Sequence, residues 1–311
     1  MLDSPGSIWE RAGMTPPPDR IGFAIVGAQK AATTFLHEAL RRHPQIAMPA
    51  GETSLFQPRH HAPAKVEALV AGLARPGAVI GIKRPNYLYD ASTAELLHAH
   101  NPQMRIVVVL RDPIERARSG YYHLLCGARL PLVGLDAGMR AILDGAWSMD
   151  CPSAATVLQH GLYAPGIARY RALFGRPNVL VATQAEAARD PLGLVRRVCA
   201  FLRLDPPARA HLPDHRPQAV LYEWGCVRLA HAVASLRGHR NEAGIVLQQR
   251  RRLSAWRRWR IARLERRLAA RRDVVEQVPP VIPAGLRAEL EQYYAADQRA
   301  LRQDLGIDLA A

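Results

Sequence analysis

Lys30 stands in a loop of small residues, Gly27-Ala-Gln-Lys-Ala-Ala-Thr-Thr34, that follows the apolar run Phe23 to Val26 and leads into a helical pattern from Thr33 to Arg42. A strand that ends in such a loop and opens a helix turns free backbone N–H groups and the positive end of the helix dipole toward an anion. Gln29, Lys30, Ala31, Ala32, Thr33 and Thr34 are therefore candidate phosphate-binding residues, with the lysine adding charge and the two hydroxyls adding donors. A second apolar run, Ile106 to Leu110, ends in Arg111-Asp-Pro, and Ser119 lies one to two turns into the helix that follows. The fixed cation of Arg111 and the hydroxyl of Ser119 suit another phosphate. Together the two segments describe a nucleotide with two separated phosphate groups.

The first loop is similar to a P-loop, but the Walker pattern G-x-x-x-x-G-K-[ST] is not met. Aligned from Gly27, its second Gly falls on Ala32 and its Lys on Thr33. An ATPase needs that Lys on the β- and γ-phosphates and an acidic strand end on Mg²⁺. Here the second strand ends with the cation first, which favours metal-free binding of a nucleotide without a triphosphate. Two other readings stay open at this point. One is a nucleotide kinase or related phosphotransferase of the same architecture. The other is an Arg-rich nucleic-acid- or membrane-binding protein acting through residues 250–272, marked by salt-sensitive binding.

At these residues the chain resembles the sulfotransferases that use 3′-phosphoadenosine 5′-phosphosulfate (PAPS), particularly the heparan sulfate 3-O- and N-sulfotransferase type. The first loop matches their 5′-phosphosulfate loop, a pattern like G-x-x-K-x-G-T-T. Leu110-Arg-Asp-Pro-x-x-Arg-x-x-Ser119 matches their 3′-phosphate motif. Gly51-Glu-Thr-Ser-Leu-Phe56 is similar to the stretch that carries their catalytic carboxylate, and Ile82-Lys-Arg-Pro-Asn-Tyr87 to a Lys-x-Pro-x-Tyr strand. Leu162-Tyr163 and Arg189-Asp-Pro191 through Leu202 follow the family's later half. The resemblance covers about residues 20–205 and, more loosely, 279–309.

The resemblance implies an α/β fold, a P-loop-like parallel sheet flanked by helices, with PAPS as sulfuryl donor and no metal required. It assigns Glu52 as general base and Lys30 to the 5′-phosphosulfate and the charge developing on the leaving phosphate. Lys83 goes beside the transferring group or onto Glu52, and Arg111 and Ser119 go on the 3′-phosphate. Tyr163 becomes a cofactor or substrate contact. Arg271 and Arg272, which precede Pro279-Pro280, stand where relatives carry a basic loop over the nucleotide. The acceptor is expected to be a hydroxyl or amine of a glycan, glycolipid or secondary metabolite. One position departs from the pattern: Ala32 stands where the family has Gly, so the loop is expected to use an ordinary backbone conformation there.

Strands at 21–26, 78–83, 105–110 and 178–182 alternate with helices at 33–42, 91–99, 113–125 and 190–202. Such alternation predicts a parallel sheet that binds ligands at its carboxyl edge. Lys30, Lys83 and Arg111 all stand at or just past strand ends, so they are expected to converge. Residues 1–19 read as a flexible Pro-rich leader, and 20–311 as one domain with a strongly helical, Arg-rich insertion at about 223–273. Within it Leu253, Trp256, Ile261, Leu264 and Leu268 are placed on one apolar side. Residues 284–305 form a closing amphipathic helix.

The 311-residue chain has a formal net charge of +15 and 49% hydrophobic content. That content excludes wholesale disorder, and the charge calls for anionic partners without choosing among nucleotide, glycan, nucleic acid and lipid. The chain has 42 basic residues, of which only Lys30, Lys65 and Lys83 are lysines; two of them fall in the recognised motifs. A lysine is a compact point charge able to follow a moving sulfuryl group better than arginine. The four cysteines, at 126, 151, 199 and 226, form no C-x-x-C or metal-ligand cluster and are read as reduced thiols. With neither a signal-peptide pattern nor an apolar stretch of about 18–20 residues, a cytoplasmic location is expected. No nucleic-acid partner is expected, and the basic segment 250–272 offers a contact for a membrane surface.

Overall fold

The computed structural model describes residues 19–207, 212–213, 220–250, 252–306 and 309. The expected leader, apart from Asp19, lies outside the described residues, as does Arg251. Contacts gather the described residues into two compact units, those within 1–111, 163–217 and 300–311 in the first and those within 112–162 and 218–299 in the second.

The first unit is built on five parallel strands: β1 (Ile21–Gly27), β2 (Ile46–Ala47), β3 (Val79–Lys83), β4 (Arg105–Leu110) and β5 (Val179–Thr183). Their order is β2-β3-β1-β4-β5, so β1 is central, with β3 on one side and β4 on the other. Side chains alternate across the sheet with the period of two that a strand imposes. Ala24, Val26, Ile80, Ile82, Ile106, Val108 and Leu110 face one layer. There they meet helix α3 (Ala91–His100) through Leu97 and helix α7 (Ala164–Phe174) through Ile167 and Tyr170. Phe23, Ile25, Val79, Val107 and Val109 face the other layer, against α1 (Thr33–Arg41) through Leu36 and Leu40 and α9 (Pro191–Leu202) through Leu194 and Val198. A sheet covered on both faces explains why β4 reads as an unbroken apolar run rather than as an alternation. Helix α2 (Pro63–Leu73) and α8 (Gln184–Arg189), both unforeseen, complete this unit.

The second unit holds α4 (Pro113–Cys126), α5 (Leu135–Leu143), α6 (Thr156–Gln159), α10 (Trp224–Arg237), α11 (Ala255–Val274) and most of α12 (Ala284–Leu305). Its core includes Tyr121, Leu125, Met139, Leu158, Val227, Leu286, Leu290 and Tyr294. The segment read as a helical insertion is not helical throughout. Between α10 and α11 runs an antiparallel hairpin of β6 (Gly238–Arg240) and β7 (Val246–Gln249). Its turn is set by Gly244 at φ 79° and by Asn241, whose side-chain oxygen accepts from Ile245 N–H at 2.8 Å. Gly238 leaves room there for Val246, whose side chain lies 2.3 Å from where a Cβ would stand.

The apolar side assigned to the Arg-rich helix is also corrected. Ile261 is buried and Leu264 and Leu268 are half-buried, but Trp256 is exposed. Five positions from Ile261 it points about 140° away around a helix of 3.6 residues per turn. Among the described residues no helix is long and apolar enough to cross a membrane.

Candidate functional site

Because the strands are parallel and β3, β1 and β4 are neighbours, their carboxyl ends deliver three chain segments to one edge of the first unit. Gly27 closes β1 where a side chain has no room: a Cβ there would stand 2.7 Å from Leu88. Ala28 N–H then donates to the carbonyl of Val109 at 2.7 Å, tying the start of the loop to β4. Two loop residues, Lys30 at φ 67° and Ala32 at φ 65°, adopt the left-handed backbone region.

The expectation of an ordinary conformation at Ala32 is therefore wrong. Alanine takes the backbone that glycine takes more freely, at a cost of about 1–2 kcal/mol, because the loop must turn there to bring its N–H groups round to the helix. Ala32 caps α1 without any side-chain hydrogen bond, and no acidic residue lies in the first turn. By contrast Asp90, Asp112 and Asp190 each cap the helix that follows with a carboxylate. The start of α1 thus has no carboxylate of its own to meet the positive end of the helix dipole.

Two cations reach this loop from the flanking strands. Lys83 ends β3, and its side chain is only 4% exposed. Its Nζ donates to Thr34 Oγ1 at 2.8 Å and lies 3.2 Å from Glu52 Oε1. On the other side Arg111, the first residue past β4, donates from its guanidinium to the carbonyl of Lys30 at 3.2 Å. Lys83 and Arg111 thus both reach the loop that carries Lys30, Lys83 at Thr34 and Arg111 at the Lys30 backbone. Tyr163 is fully buried, and its hydroxyl donates to the backbone carbonyl of Arg111 at 2.9 Å. It props the strand end from behind.

Glu52 is held by a small network. Thr53 N–H donates to the carbonyl of Lys83 at 3.0 Å, and the hydroxyl of Tyr87 donates to the carbonyl of Thr53 while accepting from Phe56 N–H. Arg84 donates to Glu52 Oε2 at 3.3 Å. One carboxylate oxygen therefore faces Lys83 and the other Arg84, with the Glu52 side chain 42% exposed. An acid, a buried cation and a hydroxyl of the phosphate loop form one continuous chain, Glu52–Lys83–Thr34.

Burial shapes the charges here. It pushes the Lys83 ammonium below its ordinary value, and Glu52 pulls in the opposite direction. His37, buried on α1 with a ring nitrogen 3.0 Å from the carbonyl of Pro49, is lowered to about 4 by burial and then by Lys83. The buried Tyr87 phenol is raised to about 12. Lys83 thus carries its charge in a setting that favours giving up a proton once the balancing carboxylate is lost.

Three assigned residues belong to the second unit. Ser119 is buried on α4. Arg271 and Arg272 occupy the last turn of α11 rather than a loop, and Arg271 makes a bidentate pair with Glu223 at 2.6 and 2.7 Å. Arg84, His37 and Tyr87 were missed as site residues. Arg84 and Tyr87 sit inside a quoted motif, so adjacency to Lys83 was their available signal; nothing in the sequence marks His37. Among the described residues no group of three or more His, Cys, Asp or Glu is arranged to hold a metal ion.

Comparison with known proteins bears on the family and the fold. A family model described as a sulfotransferase domain matches residues 21–212. Heparan sulfate glucosamine 3-O-sulfotransferase 3B1 of Mus musculus is 27% identical over 212 residues, 65% of this chain and 51% of the mouse protein. Heparan sulfate glucosamine 3-O-sulfotransferase 6 of Homo sapiens is 28% identical over 183 residues, 58% of this chain and 51% of the human protein. The chain thus spans about half the length of these curated relatives. A sulfotransferase from Alicyclobacillus acidocaldarius shares the fold with a TM-score of 0.63 at 22% identity, covering 94% of this chain and 98% of that one.

Proposed function

The chain belongs to the sulfotransferase domain family, and from that premise we propose that it is a PAPS-dependent sulfotransferase acting in the cytoplasm on a hydroxyl or amine of a glycan, glycolipid or secondary metabolite. The single observation that carries the reading is the Glu52–Lys83–Thr34 chain, which links a carboxylate to an uncapped helix start through one buried cation.

The residues fit the donor nucleotide. The two left-handed turns of the loop and the open start of α1 suit a phosphate, and Lys30, Thr33 and Thr34 supply charge and hydroxyls. Gln29 and Ala31 contribute loop backbone. Arg111 takes the 3′-phosphate, the group to which the resemblance also assigns Ser119, and Tyr163 serves by holding the Arg111 backbone. Arg271 and Arg272 stand in the last turn of α11, where Arg271 is already committed to Glu223. When bound, PAPS supplies an activated sulfuryl group whose S–O bond to phosphate breaks as the acceptor oxygen or nitrogen bonds to sulfur.

Glu52 takes the acceptor's proton at a carboxylate oxygen. Its exposure leaves it reachable from solvent, and Arg84 and Lys83 fix its direction. Lys83 and Lys30 neutralise charge that builds on the bridging oxygen as that bond breaks. A fixed cation in a site of low dielectric is worth more there than in water, because nothing must reorganise at the moment of reaction. Calorimetry with 3′-phosphoadenosine 5′-phosphate against ATP, without added metal, tests the nucleotide assignment, followed by an acceptor screen with radiolabelled sulfate. Tight bisphosphate binding with weak ATP binding is expected; preference for ATP with Mg²⁺-dependent turnover overturns it.

A further inference from the structure

The second unit carries an exposed surface on residues that the proposed function does not employ. All ten large hydrophobic side chains that stand exposed among the described residues belong to this unit. Five of them lie on α11 or on the segment that continues from its end: Trp256, Trp259, Val274, Val278 and Val281. The tryptophans are 56% and 57% exposed, Val274 81% and Val281 87%.

Helical geometry sorts α11 into two faces. Ile261, Leu264 and Leu268, separated by three and four residues, form the side turned inward. On the opposite side, Trp256, Trp259, Arg263, Arg266, Arg267 and Val274 fall within about 100° of arc at 3.6 residues per turn. The Arg260 guanidinium lies 5.0 Å from the centre of the Trp256 ring and that of Arg263 5.6 Å from Trp259. Glu265, one of two acids on the helix, is taken by Arg237, and Arg271 is taken by Glu223. Arg260, Arg263, Arg266 and Arg267 make no ion pair among the described residues.

We propose that this face of α11 docks the protein on an anionic lipid surface. The arginines meet lipid phosphates, and the indoles, apolar with one polar N–H, sit at headgroup depth. A nucleic acid or a dissolved acidic polysaccharide would satisfy the arginines and stack on the indoles. Neither gives the exposed valines anywhere dry to go, whereas the acyl boundary of a bilayer does. A peripheral contact of this kind needs no membrane-spanning helix.

The test uses the full chain and vesicles of phosphatidylcholine with or without phosphatidylglycerol. Sedimentation with the anionic vesicles alone is expected, together with quenching of tryptophan fluorescence by brominated acyl chains. Trp256→Ser with Trp259→Ser should weaken vesicle binding about tenfold or more and remove most of the quenching. Arg263→Glu with Arg266→Glu should abolish sedimentation, and raising salt should weaken the parent's binding. Each variant must keep the parent's urea midpoint; if one does not, Trp259→Tyr or Arg266→Gln alone serves in its place, with a smaller loss in the same direction. Absence of sedimentation with anionic vesicles at low salt overturns the proposal. So does a tryptophan double variant that binds and quenches like the parent. Tighter binding to duplex DNA or to heparin than to vesicles, lost only with the arginines, assigns the face to a soluble polyanion instead.

Discussion

Replacing Glu52 by Gln keeps the shape of the side chain and leaves one oxygen to accept from Lys83 or Arg84. It removes the charge and the capacity to take a proton. A positioned general base contributes about 10²–10⁴-fold to rate, or about 2.7–5.4 kcal/mol of barrier. Turnover should fall by that factor. The cost to folding is smaller. Removing one partner of a buried ion pair costs about 3–5 kcal/mol. Glu52, however, is 42% exposed and solvent screens it, so about 1 kcal/mol is the appropriate scale.

The nucleotide should bind almost as before, since Glu52 touches the loop only through Lys83. Loss of the carboxylate also removes the influence that raises the Lys83 ammonium against burial. Residual turnover that needs a charged Lys83 should therefore fade at lower pH on the alkaline side than it does in the parent. The assays are single-turnover sulfate transfer across pH, calorimetry with 3′-phosphoadenosine 5′-phosphate, and urea unfolding. Turnover within a few-fold of the parent, with folding intact, refutes Glu52 as the base. An equal loss in turnover and nucleotide affinity refutes the separation of roles argued from the Glu52–Lys83–Thr34 chain.

Arg111→Ala should weaken binding of 3′-phosphoadenosine 5′-phosphate about ten- to a hundred-fold, the worth of one charge-assisted hydrogen bond of about 1.5–3 kcal/mol, and unchanged affinity in a titration contradicts its place on the nucleotide. Ala32→Gly should relieve about 1–2 kcal/mol of left-handed strain, partly offset by about 0.5–1 kcal/mol of added freedom in the unfolded chain, so the urea midpoint should rise slightly with nucleotide affinity kept. A clear loss of stability there would show the loop to be unstrained. His37, neutral in the fold with its pKa lowered from 6.5 to about 4, contributes stability that is complete above pH 6.5 and is lost as pH falls to about 4, roughly 3 kcal/mol in all. Unfolding of a His37→Gln variant at pH 7, 5 and 4 should show a shallower pH slope; an identical slope removes His37 as its source.

The sequence alone determined strands β1, β3, β4 and β5, helices α1, α3, α4 and α9, and where the loop between β1 and α1 lies. These rest on local pattern: apolar runs of strand length, helical periodicity, and the residues that break or cap an element. The long uniform run of β4 and the three lysines were legible for the same reason. Arg84, Tyr87 and His37 were not, because their roles depend on which strand neighbours which, and side-chain period says nothing about that order. Only the tertiary structure decided that β3 lies beside β1, which brings Lys83 onto Thr34 and its following residues around Glu52. It also decided that Ala32 accepts a left-handed backbone, since surrounding contacts can impose on one residue a conformation that its own preference opposes. Trp256 makes the same point on α11: its apolar type placed it inside, and its angle around the helix placed it in solvent.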